Sequence, residues 1–341
     1  MDVHETAKAL VAEGKGILAA DESSGTIKKR FDSIGVESTE DNRRAYRDLL
    51  FTTEGVEEFI SGVILYDETI RQSSADGTPF PKLLQSRGII PGIKVDMGAK
   101  PLAGSPEETI TEGLDGLRER LEEYRELGAR FTKWRAVISI GDGRPSDYAI
   151  WTNAHALARY AALSQEAGLV PIVEPEILMD GDHTIDESYR VTARVLQAVY
   201  TELFDQRVER EGALLKPNMV LSGYDASDQA DTQTVAELTV KVLRNTVPAA
   251  VPGIVFLSGG QTDEDATAHL NAMNRTFAGN LPWPVSFSYG RALQAPSLKA
   301  WKGNAANVAA GQAALLHRSR MNSLACAGKY SDADEKQAKA A

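Results

Sequence analysis

Cysteine is almost absent: the sequence of 341 residues contains one, Cys326. A single cysteine excludes an internal disulfide and any metal or redox site built on paired cysteines. This usage is typical of a reducing compartment, so we expect a cytoplasmic protein. The N-terminal stretch lacks the apolar core of a secretory signal, and no apolar run approaches the roughly 18 residues that a membrane helix requires. The sequence therefore predicts neither export nor insertion into a membrane.

Positive charge is scarce, and several familiar motifs are missing. The chain has 37 Lys and Arg residues against 48 Asp and Glu residues, for a net charge of −11. This balance argues against nucleic acid as a partner, so any anion must be bound locally. No GxGxxG fingerprint follows the first predicted strand, no Walker A sequence occurs, and no histidines form an HxH or HExxH pair. With 43% hydrophobic and 25% charged residues, the composition is that of an ordinary globular enzyme.

Eight short apolar or β-branched runs recur along the chain and predict eight strands. They read GILAAD ending at Asp21, GVILYD ending at Asp67, GIKVD ending at Asp96, FTKWRAVISI around Lys133, LVPIVEPEIL around Glu174, ALLKPN around Lys216, GIVFLSGG ending at Gly260 and PVSFSYGR ending at Arg291. Patterns of helical period lie between them, and this alternation predicts parallel βαβ units of the α/β class. Eight strands favour closure into a (β/α)8 TIM barrel, with an open doubly wound sheet as the alternative.

The clearest helical pattern runs from Ser105 to Gly128. It opens with a possible capping box, Ser105 with Glu108, and continues with apolar residues three or four positions apart. Gly113 and Gly116 within this stretch would delay the start of the helix.

The chain is predicted to form one domain. Helical spacing also marks residues 189–204 and 262–273, and no linker divides the sequence. We therefore expect a barrel domain over residues 1–330, including an N-terminal helix. The final residues, 331–341, are polar and alanine-rich, which predicts a flexible C-terminal tail.

Charged and polar residues cluster where the predicted strands end. They are Asp21, Lys94, Asp96, Lys133, Arg135, Glu174, Glu176, Lys216, Ser258, Gly259, Gly260, Ser288, Gly290 and Arg291. Lys133 and Arg135, and likewise Glu174 and Glu176, are two residues apart, so each pair shares one face of its strand. The outer wall of a barrel packs against helices and needs apolar side chains, which favours the barrel interior for these charges. One such residue alone is more often a solvated rim residue. Five charged strand ends that converge on one barrel mouth indicate a binding or catalytic site.

Two chemistries fit this mouth. The four carboxylates could hold a divalent metal, but the interleaved lysines would compete with the metal for them. The other is amine catalysis at Lys216, which stands at the end of an apolar run. Lys133 and partial burial would favour the neutral amine of Lys216, which attacks a ketone. An acid such as Glu174 would assist loss of water, and the resulting iminium withdraws electrons.

Glycine-rich turns follow the last two predicted strands. In FLSGG and SYGR, backbone N–H groups can form an anion nest, and Arg291 can bind phosphate through two donors. Each string alone is more often a plain turn, but phosphate sites commonly lie after the last two strands of a barrel. We therefore expect a phosphorylated ketone as the substrate and no cofactor.

Together these motifs resemble one family, the class I (Schiff-base) fructose-1,6-bisphosphate aldolases. The strings that carry the resemblance are GKGILAADESSGTIKKR, EDNRRAYRDLL, PGIKVDMG, KWR, PIVEPEIL, LLKPNM, FLSGGQ and SYGRALQ, in that order, and it extends to SLACAGKYS. The resemblance implies a metal-independent carbon–carbon lyase of glycolysis and gluconeogenesis. Its reaction is the reversible cleavage of fructose 1,6-bisphosphate to dihydroxyacetone phosphate and glyceraldehyde 3-phosphate.

The resemblance also implies roles for individual residues. Lys216 would form the Schiff base with the ketose C2, Lys133 would be its electrostatic partner, Glu174 would serve the carbinolamine steps and Glu176 would be a hydrogen-bonding neighbour. Asp21 is similar to the aspartate that handles the C4 hydroxyl proton, although which proton moves to Asp21 and which to Glu174 stays open. The C1 phosphate would meet Ser258, Gly259, Gly290 and Arg291, and the C6 phosphate would meet Ser23, Thr26, Lys94 and Arg135. A homotetramer is expected on the same ground.

The sequence departs from the animal members of the family at two positions. They end in a tyrosine that assists proton transfer to the enamine, whereas the last tyrosine here is Tyr330. We expect that step to be slower or to use another group. Thr26 stands where those members usually have serine, which keeps the hydroxyl.

Two rival functions remain open. A binding protein or inactive relative would have lost Lys216, Glu174 or Asp21, and all three are present. A transaldolase or a monophosphate aldolase would need only one phosphate site, whereas the sequence predicts two.

Overall fold

The structure is a computed structural model that describes residues 1–331 and 333–335. The ten strands found there are β1 (Gly16–Ala19), β2 (Ile60–Leu65), β3 (Ile90–Lys94), β4 (Ala99–Leu102), β5 (Ser105–Thr111), β6 (Phe131–Ile138), β7 (Val170–Ile177), β8 (Leu214–Leu215), β9 (Ile254–Phe256) and β10 (Val285–Tyr289). The helices are α1 (Val3–Leu10), α2 (Ser24–Asp32), α3 (Glu40–Phe51), α4 (Asp67–Ile70), α5 (Phe80–Ser86), α6 (Leu117–Glu126), α7 (Asp147–Glu166), α8 (Ile185–Asp205), α9 (Thr232–Thr246), α10 (Asp263–Thr276), α11 (Arg291–Trp301) and α12 (Val308–Cys326).

Eight strands form a closed parallel barrel in the order β1-β10-β9-β8-β7-β6-β3-β2. Each of the eight runs identified in the sequence supplies one of these strands, so the barrel prediction is confirmed and the open sheet is excluded. The strands are almost entirely buried, because side chains of one face fill the barrel and those of the other pack against the helices.

The barrel interior is apolar at its N-terminal end and charged at its C-terminal end. Alternate residues of β6 point inward, so Phe131 lies in a buried apolar cluster with Ile172 of β7, and Lys133 and Glu174 follow two residues later. Helix α1 closes the apolar end, where Leu10 packs into the same cluster. A Cβ on Gly92 of β3 would lie 2.3 Å from the Phe131 ring, so this ring requires glycine there.

The surrounding helices confirm two of the three helical patterns. Residues 189–204 lie within α8, and Thr262 is the N-cap of α10, accepting a hydrogen bond from the backbone N–H of Asp265 at 3.0 Å. No helix in the described part of the chain is long and apolar enough to cross a membrane.

The helix predicted to open at Ser105 is wrong in its first part. Residues 105–111 form β5, which pairs with β4 in an antiparallel hairpin, and the helix begins only at Leu117, after Gly113 and Gly116. Thr109 and Thr111 donate hydroxyl hydrogen bonds to backbone carbonyls of β6, which holds this β-branched segment extended beside the barrel. A tertiary contact therefore overrides the capping pattern.

Candidate active site

A cavity of about 1100 Å³ opens at the C-terminal ends of the barrel strands. All fifteen residues predicted for the site line it: Asp21, Ser23, Thr26, Lys94, Lys133, Arg135, Glu174, Glu176, Lys216, Ser258, Gly259, Gly260, Ser288, Gly290 and Arg291. The paired charges of β6 and β7 therefore point into the barrel, as the alternation along the strands predicts.

Four buried charges form the centre of the cavity. Nζ of Lys133 lies 2.7 Å from Oδ2 of Asp21 and 3.2 Å from Oε2 of Glu174. Nζ of Lys216 lies 3.1 Å from the other oxygen of Glu174. Glu174 thus contacts both lysines, one through each carboxylate oxygen. Lys216 directly follows β8, and its backbone N–H donates to the carbonyl of Val173 in β7, which fixes its position relative to Glu174.

The electrostatics of this cluster favour the charged forms of Asp21, Glu174 and Lys133. Burial raises the pKa of the Asp21 and Glu174 carboxyls, but the positive charges of Lys133 and Lys216 outweigh burial and hold both pKa values below their usual range. Burial lowers the pKa of Lys133, but Asp21 and Glu174 reverse this and raise it. Both carboxylates are therefore ionised in the free protein and can accept protons.

Glu174 has a free acceptor despite its burial. Its Oε2 atom makes no hydrogen bond to the described residues, although the Lys133 ammonium is within ion-pair distance. The Lys133 charge offsets part of the cost of burying this oxygen, and a ligand could supply the missing hydrogen bond. This oxygen is therefore available to a substrate hydroxyl or to a proton in transit.

The remaining carboxylates also have cationic partners. Lys94 pairs with Asp96 at 2.6 Å, and the Arg135 guanidinium pairs with Glu176. Asp96 in addition accepts backbone hydrogen bonds from Gly98 and Arg135, which ties the end of β3 to β6. Among the described residues no group of three or more His, Cys, Asp or Glu side chains is arranged to hold a metal ion. The carboxylates that the metal hypothesis would use are each bound to a lysine or an arginine.

One end of the cavity has the features of an anion site. Gly259 and Gly260, which line the cavity, adopt φ values of +61° and +128°, and successive N–H groups in such a glycine turn can form an anion nest. The Ser288 hydroxyl is buried and has no hydrogen-bond partner in the described structure. No carboxylate of the described residues lies within ion-pair distance of Arg291, and Gly290 is the N-cap of α11. An anion placed here would meet a guanidinium, a helix N-terminus and an unpaired hydroxyl.

Another part of the cavity lining is built on α2. Ser23 is the N-cap of this helix and Thr26 lies in its first turn. Lys29, Arg30 and Ser33 also line the cavity and were missed by the sequence reasoning. Their spacing from Thr26, three, four and seven residues, places them on one face of a helix, so a helical reading of this segment would have found them.

Two buried arginine contacts fix α2 against the barrel. Glu22 is 7% exposed and accepts hydrogen bonds from Arg30 and, at 2.6 Å, from Arg47 of α3. Gln294 of α11 donates to the same carboxylate at 2.8 Å. Three helices are thereby held together at the cavity rim, an arrangement that no local sequence pattern indicates.

The fold and the site define a (β/α)8-barrel protein with a buried cluster of lysines and carboxylates at the C-terminal mouth of its barrel. The family model for class I fructose-bisphosphate aldolase matches residues 2–341. The chain is 60% identical over 327 residues to a probable class 1 fructose-bisphosphate aldolase of Xanthomonas campestris, covering 96% of this chain and 97% of that one. The chain belongs to the class I fructose-bisphosphate aldolases, which are metal-independent lyases, as the resemblance of its motifs predicts.

Aldolases of other organisms are also similar to this chain. A fructose-bisphosphate aldolase of Dictyostelium discoideum is 57% identical, covering 95% of this chain and 91% of its own. In Arabidopsis thaliana, cytosolic fructose-bisphosphate aldolase 4 is 56% identical over 93% of this chain and 80% of its own. A ternary crystal structure of the Plasmodium falciparum aldolase with TRAP and a small-molecule inhibitor superimposes with a TM-score of 0.95 at 53% identity, covering 96% of this chain and 95% of that chain.

Proposed function

We propose that Lys216 is the Schiff-base residue and that the chain cleaves fructose 1,6-bisphosphate reversibly to dihydroxyacetone phosphate and glyceraldehyde 3-phosphate. The observation that carries this assignment is the buried contact between Nζ of Lys216 and Glu174 at 3.1 Å. A nucleophilic amine needs a nearby base to take its proton, and Glu174 is an ionised carboxylate within reach.

The reaction then uses the same few groups in turn. Glu174 accepts a proton from Lys216, and the amine adds to the ketose C2 to give a carbinolamine. Glu174 returns a proton to the carbinolamine hydroxyl, which leaves as water. The iminium withdraws the electrons of the C3–C4 bond while the C4 hydroxyl loses its proton to Asp21 or Glu174. Protonation of the enamine and hydrolysis of the imine release dihydroxyacetone phosphate.

The two phosphates would occupy two separate parts of the cavity lining. The C1 phosphate would bind at Ser258, Gly259, Gly260, Ser288, Gly290 and Arg291. The C6 phosphate would bind at Ser23, Thr26, Lys94 and Arg135. Among the described residues the Ser288 hydroxyl has no hydrogen-bond partner and Arg291 has no ion pair, which supports the first site, and the exposed N-terminus of α2 supports the second. Two sites favour a bisphosphate over the single phosphate of a transaldolase or monophosphate aldolase substrate.

The test is borohydride reduction in the presence of dihydroxyacetone phosphate and EDTA, followed by mass mapping. We expect the reduced adduct on Lys216 and cleavage activity unchanged by EDTA. The Lys216→Arg variant keeps the positive charge but should give no adduct and no turnover. An adduct on another lysine, or activity abolished by EDTA, would contradict the assignment. An inactive relative or a binding protein would give neither an adduct nor turnover.

Substrate preference, assembly and location complete the proposal. Comparing turnover of fructose 1,6-bisphosphate with that of fructose 1-phosphate and sedoheptulose 1,7-bisphosphate tests the need for two phosphates. We further propose a homotetramer acting in glycolysis and gluconeogenesis in the cytoplasm. The reducing-compartment cysteine usage and a relative whose name says cytosolic support the location. Light scattering coupled to size exclusion measures the assembly, and cell fractionation measures the location.

A further inference from the structure

Tyr224 lies beside the glycine turn of the Arg291 anion site. A Cβ placed on Gly260 would lie 2.9 Å from the Tyr224 hydroxyl oxygen and 3.0 Å from Nη2 of Arg291. The two donors therefore converge on Gly260 and are within about 6 Å of each other. Hydrogen bonds of about 2.8 Å from both can reach two oxygens of one phosphate.

A rigid backbone framework sets the position of Tyr224. The loops after β7 and β8 are joined by three hydrogen bonds: Gly223 N–H to the carbonyl of His183 at 2.8 Å, Tyr224 N–H to that of Met179 at 2.9 Å, and Asp225 N–H to that of Gly181 at 2.9 Å. A Cβ on Gly223 would lie 2.2 Å from the Gly181 carbonyl oxygen. The close approach of the two loops thus depends on glycine, and it fixes the tyrosine on one side of the anion site.

The hydroxyl of Tyr224 has only a weak partner in the described structure. It donates to the thioether Sδ of Met179 at 3.3 Å, and thioethers are weak acceptors. Burial of the phenol raises the pKa of Tyr224 to about 12, so the hydroxyl keeps its proton at neutral pH. Tyr224 is still 42% exposed, and its hydroxyl lies beside Gly260 of the cavity lining. A phosphate oxygen would be a stronger acceptor than the sulfur.

We infer that Tyr224 is a further substrate-positioning residue, whose hydroxyl donates a hydrogen bond to the phosphate held by Gly259, Gly260 and Arg291. The inference rests on the proposed function, in which that phosphate is the C1 phosphate. Tyr224 is not part of any of the sequence strings that carry the family resemblance. It acts on this phosphate and not on the C6 phosphate.

The test is Tyr224→Phe, which removes the hydroxyl alone, measured in the condensation direction. The phosphate of dihydroxyacetone phosphate becomes the C1 phosphate, and that of glyceraldehyde 3-phosphate becomes the C6 phosphate. We expect KM for dihydroxyacetone phosphate to rise about tenfold, the effect of one hydrogen bond to a charged group, with kcat and KM for glyceraldehyde 3-phosphate within about twofold of wild type. Tyr148→Phe is the matched control, since Tyr148 is exposed and donates to the Ala103 carbonyl outside the site.

Three results would overturn the inference. An unchanged KM for dihydroxyacetone phosphate means that the hydroxyl does not contact the phosphate. A parallel rise in both KM values means a general loss of site shape. If the wild-type protein forms no borohydride adduct on Lys216, the proposed function and this inference are both overturned. If the adduct forms but Tyr224→Phe leaves KM for dihydroxyacetone phosphate unchanged, only this inference is overturned.

Discussion

Nζ of Lys216 and Oε1 of Glu174 lie 3.1 Å apart, and each side chain is 4% exposed. Both groups are largely shielded from solvent, so their charges interact more strongly than they would at the surface. A proton can pass directly from one to the other, which is the first step of the proposed imine chemistry.

Replacing Glu174 should separate catalysis from binding. In Glu174→Gln the side chain keeps its size but accepts no proton, so we expect kcat to fall by a factor on the order of 10² to 10⁴. KM should change much less, because the phosphate contacts remain. Steady-state kinetics and the rate of borohydride trapping on Lys216 measure the effect. Glu126→Gln, at an exposed position without an ion pair in the described structure, is the control. A kcat within tenfold of wild type would exclude Glu174 as the base.

Ser288→Ala should weaken substrate binding without loss of stability. The Ser288 hydroxyl is buried and has no partner among residues 1–331 and 333–335, so removing it breaks no hydrogen bond there and relieves a desolvation cost. We expect an unchanged or slightly raised Tm and a KM for fructose 1,6-bisphosphate raised about tenfold. Ser319→Ala is the control, for which we expect a lower Tm and an unchanged KM. Its buried hydroxyl donates to the Leu315 carbonyl in α12, away from the cavity lining. A lower Tm in Ser288→Ala with unchanged KM would contradict the assignment.

Gly223→Ala should destabilise the loops beside the anion site. The added Cβ would meet a backbone oxygen of Gly181 at 2.2 Å, and backbone atoms cannot move aside as a side-chain end can. We expect a loss of about 2 to 4 kcal/mol of unfolding free energy. Gly25→Ala is the control, since its Cβ meets nothing within 4 Å and alanine favours helix α2 by about 0.5 to 1 kcal/mol. Urea unfolding measures the stability of both variants. A Gly223→Ala variant as stable as the wild type would show that the loops are free to separate.

Glu335 anchors the last described residues, and its contribution should depend on pH. Its carboxylate accepts hydrogen bonds from Arg318, which is 2% exposed, and from the Tyr330 hydroxyl, and lies 3.0 Å from His317. Burial raises the pKa of Glu335, but the hydrogen bonds from His317 and Arg318 outweigh burial and lower it to about 2. Residues 332 and 336–341 lie outside the described range, and the flexible tail over residues 331–341 stays a prediction.

Because the folded-state pKa of Glu335 lies below the unfolded value of 4.5, the stabilisation from its carboxylate is present above pH 4.5 and is lost as pH falls toward 2. Glu335→Gln should therefore lower stability at pH 7 by about 1 to 3 kcal/mol, with the difference from wild type shrinking below pH 4.5. Thermal unfolding between pH 7 and pH 3 measures this. A difference that is constant with pH would mean that the charge of Glu335 contributes nothing.

Much of the site was predictable from the strand pattern. In a parallel barrel every strand ends at the same face, so the polar residue that follows each apolar run must reach the same mouth. Lys133 and Arg135, and Glu174 and Glu176, share a strand face by alternation alone. The motifs therefore predict which residues line the cavity without any knowledge of distances. Their individual roles stay predictions until the variants are measured.

Other features depend on contacts between segments far apart in sequence. The capping pattern of Ser105 and Glu108 occurs in β5, where the Glu108 carboxylate binds Ser146 at the start of α7. The position of Tyr224 depends on loop contacts with Met179 and Gly181, segments more than forty residues away. Local patterns carry no information about such partners.

The barrel, its eight strands and the charges at its mouth follow from the amino-acid pattern alone, because the periods of apolar residues are local properties. Which charges pair follows from the packing of the folded chain. Packing places Glu174 between Lys133 and Lys216, leaves Ser288 without a partner among the described residues and brings Tyr224 to Gly260. Pairing and burial depend on distances across the closed barrel, and these distances set the charge state of each group and what it can bind.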